Sequence, residues 1–137
     1  MEKALEHLIN MADSGLVKWV DEQSAASQAG FPENLLEDRA LRHGVIPLRY
    51  QRNIGAISPS EQRILLHSRV AVIGCGGLGG CVLEQLARLG IGHLTAWDFD
   101  IFEEHNINRQ LHANINNIGK AKIDIVGARI QEINPAV

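Results

Sequence analysis

Gly74-Cys75-Gly76-Gly77-Leu78-Gly79 is a GxGxxG run lying directly after a short apolar segment and directly before a helical pattern. Glycines at that spacing allow a tight turn and close approach of a phosphate to the backbone, and they leave free N–H groups at the positive end of a helix dipole. Alone the pattern is weak; its place between a strand and a helix makes it a nucleotide phosphate site. Asp98 follows Gly79 by nineteen residues. An acidic side chain at the end of the next strand can accept hydrogen bonds from ribose hydroxyls, which by itself would suit NAD.

Further along, Asn106-Ile107-Asn108-Arg109-Gln110 and Gly119-Lys120-Ala121-Lys122 place amides and cations in loops on the same side of the sheet as the glycine turn. Nicotinamide chemistry has no need of two fixed cations near the phosphates, whereas a triphosphate that loses pyrophosphate does. The joint spacing of Arg109 and Lys122 therefore favours ATP, although each alone reads as a solvated charge. Asp100 stays open between a pocket carboxylate and a solvated turn residue. Cys75 and Cys81 lack the paired spacing of a zinc site, and the six histidines show no ligand spacing. Both cysteines read as small structural residues.

These groups need strands and helices to hold them. Val70–Ile73 is an apolar, β-branched run predicted as a strand buried on both faces. A helix is expected over Leu78–Leu89, stopped by Gly90, then a second strand over His93–Trp97, completing one βαβ unit. One short helical turn is expected within Asn106–Gln110, and a helix over Lys120–Ile133 with Ile123, Val126, Ile130 and Ile133 on one face. Upstream, Ser58-Pro59-Ser60-Glu61 is a capping box with proline at the first helical position, predicting a helix to about His67. Residues 1–47 read as a helical extension: a short pair around Asp13-Ser14-Gly15, then a helix opened near Pro32 and closed before Gly44, its buried face Leu35, Leu36, Ala40 and Leu41. Two parallel strands leave both sheet edges unpaired, so residues 48–137 are expected to be the truncated N-terminal part of a longer doubly wound α/β fold.

Composition sets the outer bounds. The 137 residues are 45% hydrophobic and 21% charged with a formal net charge of -3. That is ordinary globular composition and excludes a chain that is basic overall and holds nucleic acid by charge alone. With no apolar run long enough for a membrane span and no signal peptide, a cytoplasmic chain with no nucleic-acid or membrane partner is expected.

RYQRNI, SRVAVIGCGGLGG, LARLGIGHLTAWDFD, NINRQLH and IGKAKIDIVGARIQEINP together resemble the N-terminal half of the ThiF/MoeB/HesA family, bacterial relatives of ubiquitin-activating enzymes. The resemblance implies a Rossmann-like nucleotide-binding fold and ATP-dependent adenylylation of the C-terminal carboxylate of a ubiquitin-like or sulfur-carrier protein, with magnesium and a homodimer. It further implies that Gly74, Gly76, Gly77 and Gly79 approach the nucleotide and Asp98 holds the ribose. Asn106 and Arg109 would contact phosphates, Lys122 would neutralise the charge on departing pyrophosphate, and Asp100 would line the pocket. Arg52 would reach the triphosphate from the other subunit, with Arg49 as its neighbour. The family's magnesium-binding aspartate, reactive cysteine and paired-CxxC zinc site are all expected beyond Val137, so no metal ligand is assigned. The alternatives are an NAD-linked oxidoreductase domain, which leaves Arg52, Arg109 and Lys122 unexplained, and a non-catalytic truncated binding module.

Overall fold

The computed structural model describes residues 2–137. Its elements in order are α1 (Glu2–Met11), β1 (Leu16–Val17), α2 (Trp19–Ala29), α3 (Glu33–Arg42), β2 (Ile46–Pro47), a 3₁₀ segment (Leu48–Asn53), α4 (Pro59–His67), β3 (Arg69–Ile73), α5 (Gly77–Leu89), β4 (His93–Trp97), 3₁₀ turns at Glu104–Asn106 and Ile115–Asn117, and α6 (Lys122–Ile133). They gather into two compact units, one reaching to His67 and the other running from Ser68 to Pro135. Among the described residues no helix is long and apolar enough to cross a membrane.

In the first unit the apolar faces of α1, α2 and α3 close on Leu8, Val17, Ala25, Ala26, Leu36 and Ala40. A second cluster joins Leu41, Ile46, Tyr50 and Leu66. The helical spacing of Leu16, Trp19 and Val20 does not belong to one helix. Ser14 and Gly15 take positive φ (52° and 79°), and Leu16–Val17 then pairs in parallel with Ile46–Pro47. Only after that strand can α2 begin. α4 begins as its capping box requires: Glu61 N–H donates to Ser58 Oγ at 3.3 Å, and Ser58 N–H donates back to Glu61 Oε2 at 2.8 Å.

The second unit is the βαβ framework. β3 and β4 are parallel in the register Arg69↔His93 to Ile73↔Trp97. Val72, Leu94 and Ala96 point to one face and pack with Leu83, Ala87, Val126 and Ile130 of α5 and α6, joined by Ile123 and Ile133. The other face is open, with Ile73 81% and Trp97 58% exposed, which corrects the expectation of burial on both faces. Residues that alternate perpendicular to a sheet bury only where a layer covers them, and α5 and α6 cover one side. α6 starts two residues later than expected, because Lys120 and Ala121 are held by the preceding loop: the Lys120 carbonyl accepts from Phe102 N–H at 2.9 Å, and Ala121, still extended, bridges to Ile101.

Candidate functional site

The glycine turn sits where β3 runs out. Gly74 adopts φ 91°, a conformation that side chains resist, and its N–H donates to the Trp97 carbonyl at 2.7 Å, tying the turn to the end of β4. A Cβ on Gly79 would lie 1.7 Å from the Gly74 carbonyl oxygen, and one on Gly77 3.2 Å from the Arg109 carbonyl oxygen. Gly79 is thus required by the turn itself, and a side chain at Gly77 would crowd the following loop. Gly76 caps α5 with no side-chain acceptor. No side chain therefore competes for the first amides of α5, where the helix dipole favours an anion.

Asp98 is bound into this turn. Its Oδ2 accepts from Cys75 N–H at 2.6 Å and its Oδ1 from Asp100 N–H at 2.8 Å. Partial burial pushes this carboxyl up, but the Cys75 and Asp100 amides and the nearby Lys122 charge outweigh it and hold it below the usual carboxylate range. An ionised carboxylate keeps lone pairs free on both oxygens, so it can still accept from ribose hydroxyls. Cys75 is buried, and burial first, then the Asp98 charge, push its thiol up. It stays protonated and small, not nucleophilic.

Lys122 opens α6 and is 5% exposed. Its backbone N–H donates to the Asp100 carbonyl at 3.0 Å and its Nζ to Asp100 Oδ2 at 3.0 Å. A lysine buried to this degree needs a partner, and Asp100, largely exposed, supplies it. Asp100 therefore positions a cation in the cleft and is more than a solvated turn residue. Asn106 is buried, and its Oδ1 accepts from Glu103 N–H at 3.0 Å, closing the turn Glu104–Asn106. Arg109 is exposed, with Nη1 donating to the His105 carbonyl and to Asn108 Oδ1, both at 2.9 Å. Its Nε and Nη2 remain uncommitted. Together Asp100, Asn106, Arg109 and Lys122 line an open cleft of about 440 Å³.

The structure thus brings Gly74, Gly76, Gly77, Gly79, Asp98, Asp100, Asn106, Arg109 and Lys122 into one unit around the start of α5. Arg52 belongs to the first unit, exposed on the 3₁₀ segment. Arg49 is not free to act beside it: it is paired with Glu22 and Glu37. Sequence reasoning gave Gln110 no role, yet its side chain lies against Gly76 with Oε1 buried and unpartnered. Its place in a motif beside a glycine turn was the available signal. Among the described residues no group of three or more His, Cys, Asp or Glu could hold a metal ion.

The model of the ThiF family matches residues 50–137. The chain belongs to the ThiF family. A tRNA threonylcarbamoyladenosine dehydratase of Bacillus subtilis is 42% identical over 87 residues, covering 64% of this chain and 34% of that protein. The structure of the Escherichia coli tRNA N6-threonylcarbamoyladenosine dehydratase in complex with ATP is matched at TM-score 0.54 and 40% identity, over 55% of this chain and 31% of that one. E. coli MccB, solved with AMPCPP and MccA, is matched at TM-score 0.63 and 28% identity, over 85% of this chain and 40% of that one. That is more than residues 50–137 supply, so the likeness reaches into the extension. This ThiF-family chain spans about a third of the length of the relatives it matches. Its relatives are E1-like enzymes of the adenylyltransferase class, and its fold is their Rossmann-like one.

Proposed function

We propose that residues 48–137 supply the nucleotide part of an ATP-dependent adenylylating enzyme, cytoplasmic and homodimeric, with residues 1–47 as a helical extension. The observation that carries this reading is Lys122: a buried cation, held by Asp100, close enough to the glycine turn for its charge to act on Asp98 and Cys75. Hydride transfer to a nicotinamide gives such a cation no task; departure of pyrophosphate does.

Asp98 takes the ribose hydroxyls, and the first amides of α5 face the phosphates. An acceptor carboxylate oxygen attacks the α-phosphorus; the new O–P bond forms as the bond to the bridging oxygen breaks, and pyrophosphate leaves with that electron pair. Lys122 and Arg109 are pre-placed for the charge that grows on the leaving group, and no covalent enzyme intermediate is needed. Arg52 adds a further cation from the second subunit. The acceptor is the C-terminal carboxylate of a ubiquitin-like or sulfur-carrier protein; a polypeptide acceptor is supported by the match to MccB, solved with MccA, which extends beyond the nucleotide part.

A second reading follows from relatives 42% identical to this chain, named tRNA threonylcarbamoyladenosine dehydratases: the acceptor would be the carboxylate of the threonyl group on a modified tRNA. ATP–pyrophosphate exchange stimulated by threonylcarbamoyladenosine-bearing tRNA, and not by carrier protein, would select it. For either acceptor, Lys122→Ala or Arg109→Ala should lower exchange at least ~10-fold, about 1.4 kcal/mol of transition-state stabilisation. An unchanged rate removes that residue from the mechanism. Mixing Arg52→Ala subunits with Lys122→Ala subunits should restore part of the activity through one intact composite site, and verified mixed dimers without any restoration would rule out action in trans.

A further inference from the structure

Arg49 and Arg52 stand three residues apart on the 3₁₀ segment Leu48–Asn53 and have opposite fates. Arg49 is gripped from two helices: Nη1 donates to Glu22 Oε2 of α2 at 2.6 Å, and Nη2 donates to Glu37 Oε2 of α3. Its guanidinium carbon lies 5.5 Å from the Trp19 ring centroid and 4.8 Å from that of Tyr50. The Glu22 and Glu37 side chains are only 4% and 1% exposed, whereas Arg52 is exposed.

Two buried carboxylates against one guanidinium make a costly way to join α2, α3 and the 3₁₀ segment. The trio leaves Glu22 Oε1, Glu37 Oε1 and Arg49 Nε without hydrogen-bond partners. Apolar side chains of similar volume would join the same elements without that penalty. A planar fork held by two carboxylates and flanked by two rings supplies what apolar contact does not, a fixed rotation. In a 3₁₀ helix, residues i and i+3 eclipse one another, so the rotation set at Arg49 also sets the face from which Arg52 leaves, about 6 Å further along.

We infer that Glu22, Glu37 and Arg49 are positioning residues that set the trajectory of Arg52, and that the helical extension serves the nucleotide site through this grip. The inference rests on the proposed role of Arg52 toward the nucleotide of a second subunit. It also gives the extension a task that its lack of chemistry-bearing motifs does not reveal.

A double-mutant cycle on the whole chain, with ATP as the probe and affinity read by calorimetry, tests it. Arg52→Ala should weaken ATP binding about tenfold, the scale of one charged contact. Glu37→Gln should weaken it at least ~3-fold in the wild-type background and not at all in the Arg52→Ala background, because a group acting only through Arg52 has nothing left to position. Arg49→Lys, which keeps the charge and loses the fork, should behave like Glu37→Gln. Amide relaxation should show residues 48–53 loosened in Glu37→Gln with α1–α3 unchanged. If Glu37→Gln fails to fold, Glu22→Gln, which leaves the Glu37–Arg49 pair intact, replaces it in the cycle. A Glu37 effect that persists undiminished without Arg52 overturns the inference, as does unchanged ATP affinity in Glu37→Gln when Arg52→Ala weakens binding. Should Arg52→Ala itself leave ATP affinity unchanged, the proposed role of Arg52 fails first and the positioning role falls with it.

Discussion

Asp98 has two tasks that a single substitution separates. It closes the glycine turn by accepting from the Cys75 and Asp100 amides, and it offers its remaining lone pairs to a ribose. Asp98→Asn turns one acceptor into a donor facing a backbone N–H and removes the charge, so it should cost about 1.5–3 kcal/mol of stability before any nucleotide is added. ATP should then raise the melting temperature of the wild type by more than that of the variant. Equal shifts in thermal denaturation with and without ATP would mean that Asp98 serves the turn alone. At this scale the glycine turn was legible, because its spacing is written locally in the chain; the burial of Lys122 was not, since alone it reads as a solvated charge and its partner Asp100 lies twenty-two residues away. Glu22 and Glu37 were not singled out, although each lies at helical spacing from apolar neighbours, Ala25 and Ala26 in one case and Leu41 in the other. An acid on an apolar helical face is a signal; its partner Arg49, twelve or more residues away, is set only by tertiary packing.

Glycine means opposite things in the two helices of the second unit, and the difference is measurable. In α5, a Cβ at Gly79 would meet the Gly74 carbonyl at 1.7 Å. Backbone cannot yield as a flexible side chain can, so Gly79→Ala should cost ~3 kcal/mol or more and disorder the turn. In α6, Gly127 is exposed and a Cβ there meets nothing within 4 Å. Gly127→Ala should stabilise by about 0.5–1 kcal/mol, since only the entropy of a mid-helix glycine changes. Urea unfolding of both variants checks the pair, and a Gly79→Ala protein as stable as wild type would show that the turn can be rebuilt. The main elements of this unit could be read from periodicity, caps and breakers, which are local. What escaped were features fixed by neighbours: Leu16 drawn from a helix into a strand by Ile46, the start of α6 delayed by Phe102 and Ile101, and the open face of β3 and β4, whose apolar run reads the same whether one layer or two cover it.

For the molecule as a whole, the first unit carries ionisable groups that pull its stability in opposite directions with pH. Burial is the largest influence on Glu22 and, against the pull of Arg49 and with added repulsion from Glu37 and Asp21, raises its pKa from 4.5 to about 7. Burial also raises Glu37, opposed by Arg49 and Tyr50. A group whose folded pKa lies above its unfolded value binds its proton more tightly when folded. The stability this contributes is complete below pH 4.5 and lost as pH rises through 7. Asp38 has the other sign: burial raises it, but His67, Arg63 and Arg42 outweigh that and hold it below 3.8. Its contribution is present above that pH and lost as pH falls further. The first unit should therefore be most stable in mildly acid solution, weakening as pH rises through 7 by way of Glu22 and as it falls below 3.8 by way of Asp38. Trp19 reports on this unit and Trp97 on the other, so in a Trp97→Phe chain the fluorescence midpoint in urea, followed from pH 3 to 8, isolates it. Glu22→Gln should flatten the fall between about pH 4.5 and 7 and leave the acid limb in place. An alkaline fall of the same slope in Glu22→Gln would show that the grip on Arg49 is not what binds the proton.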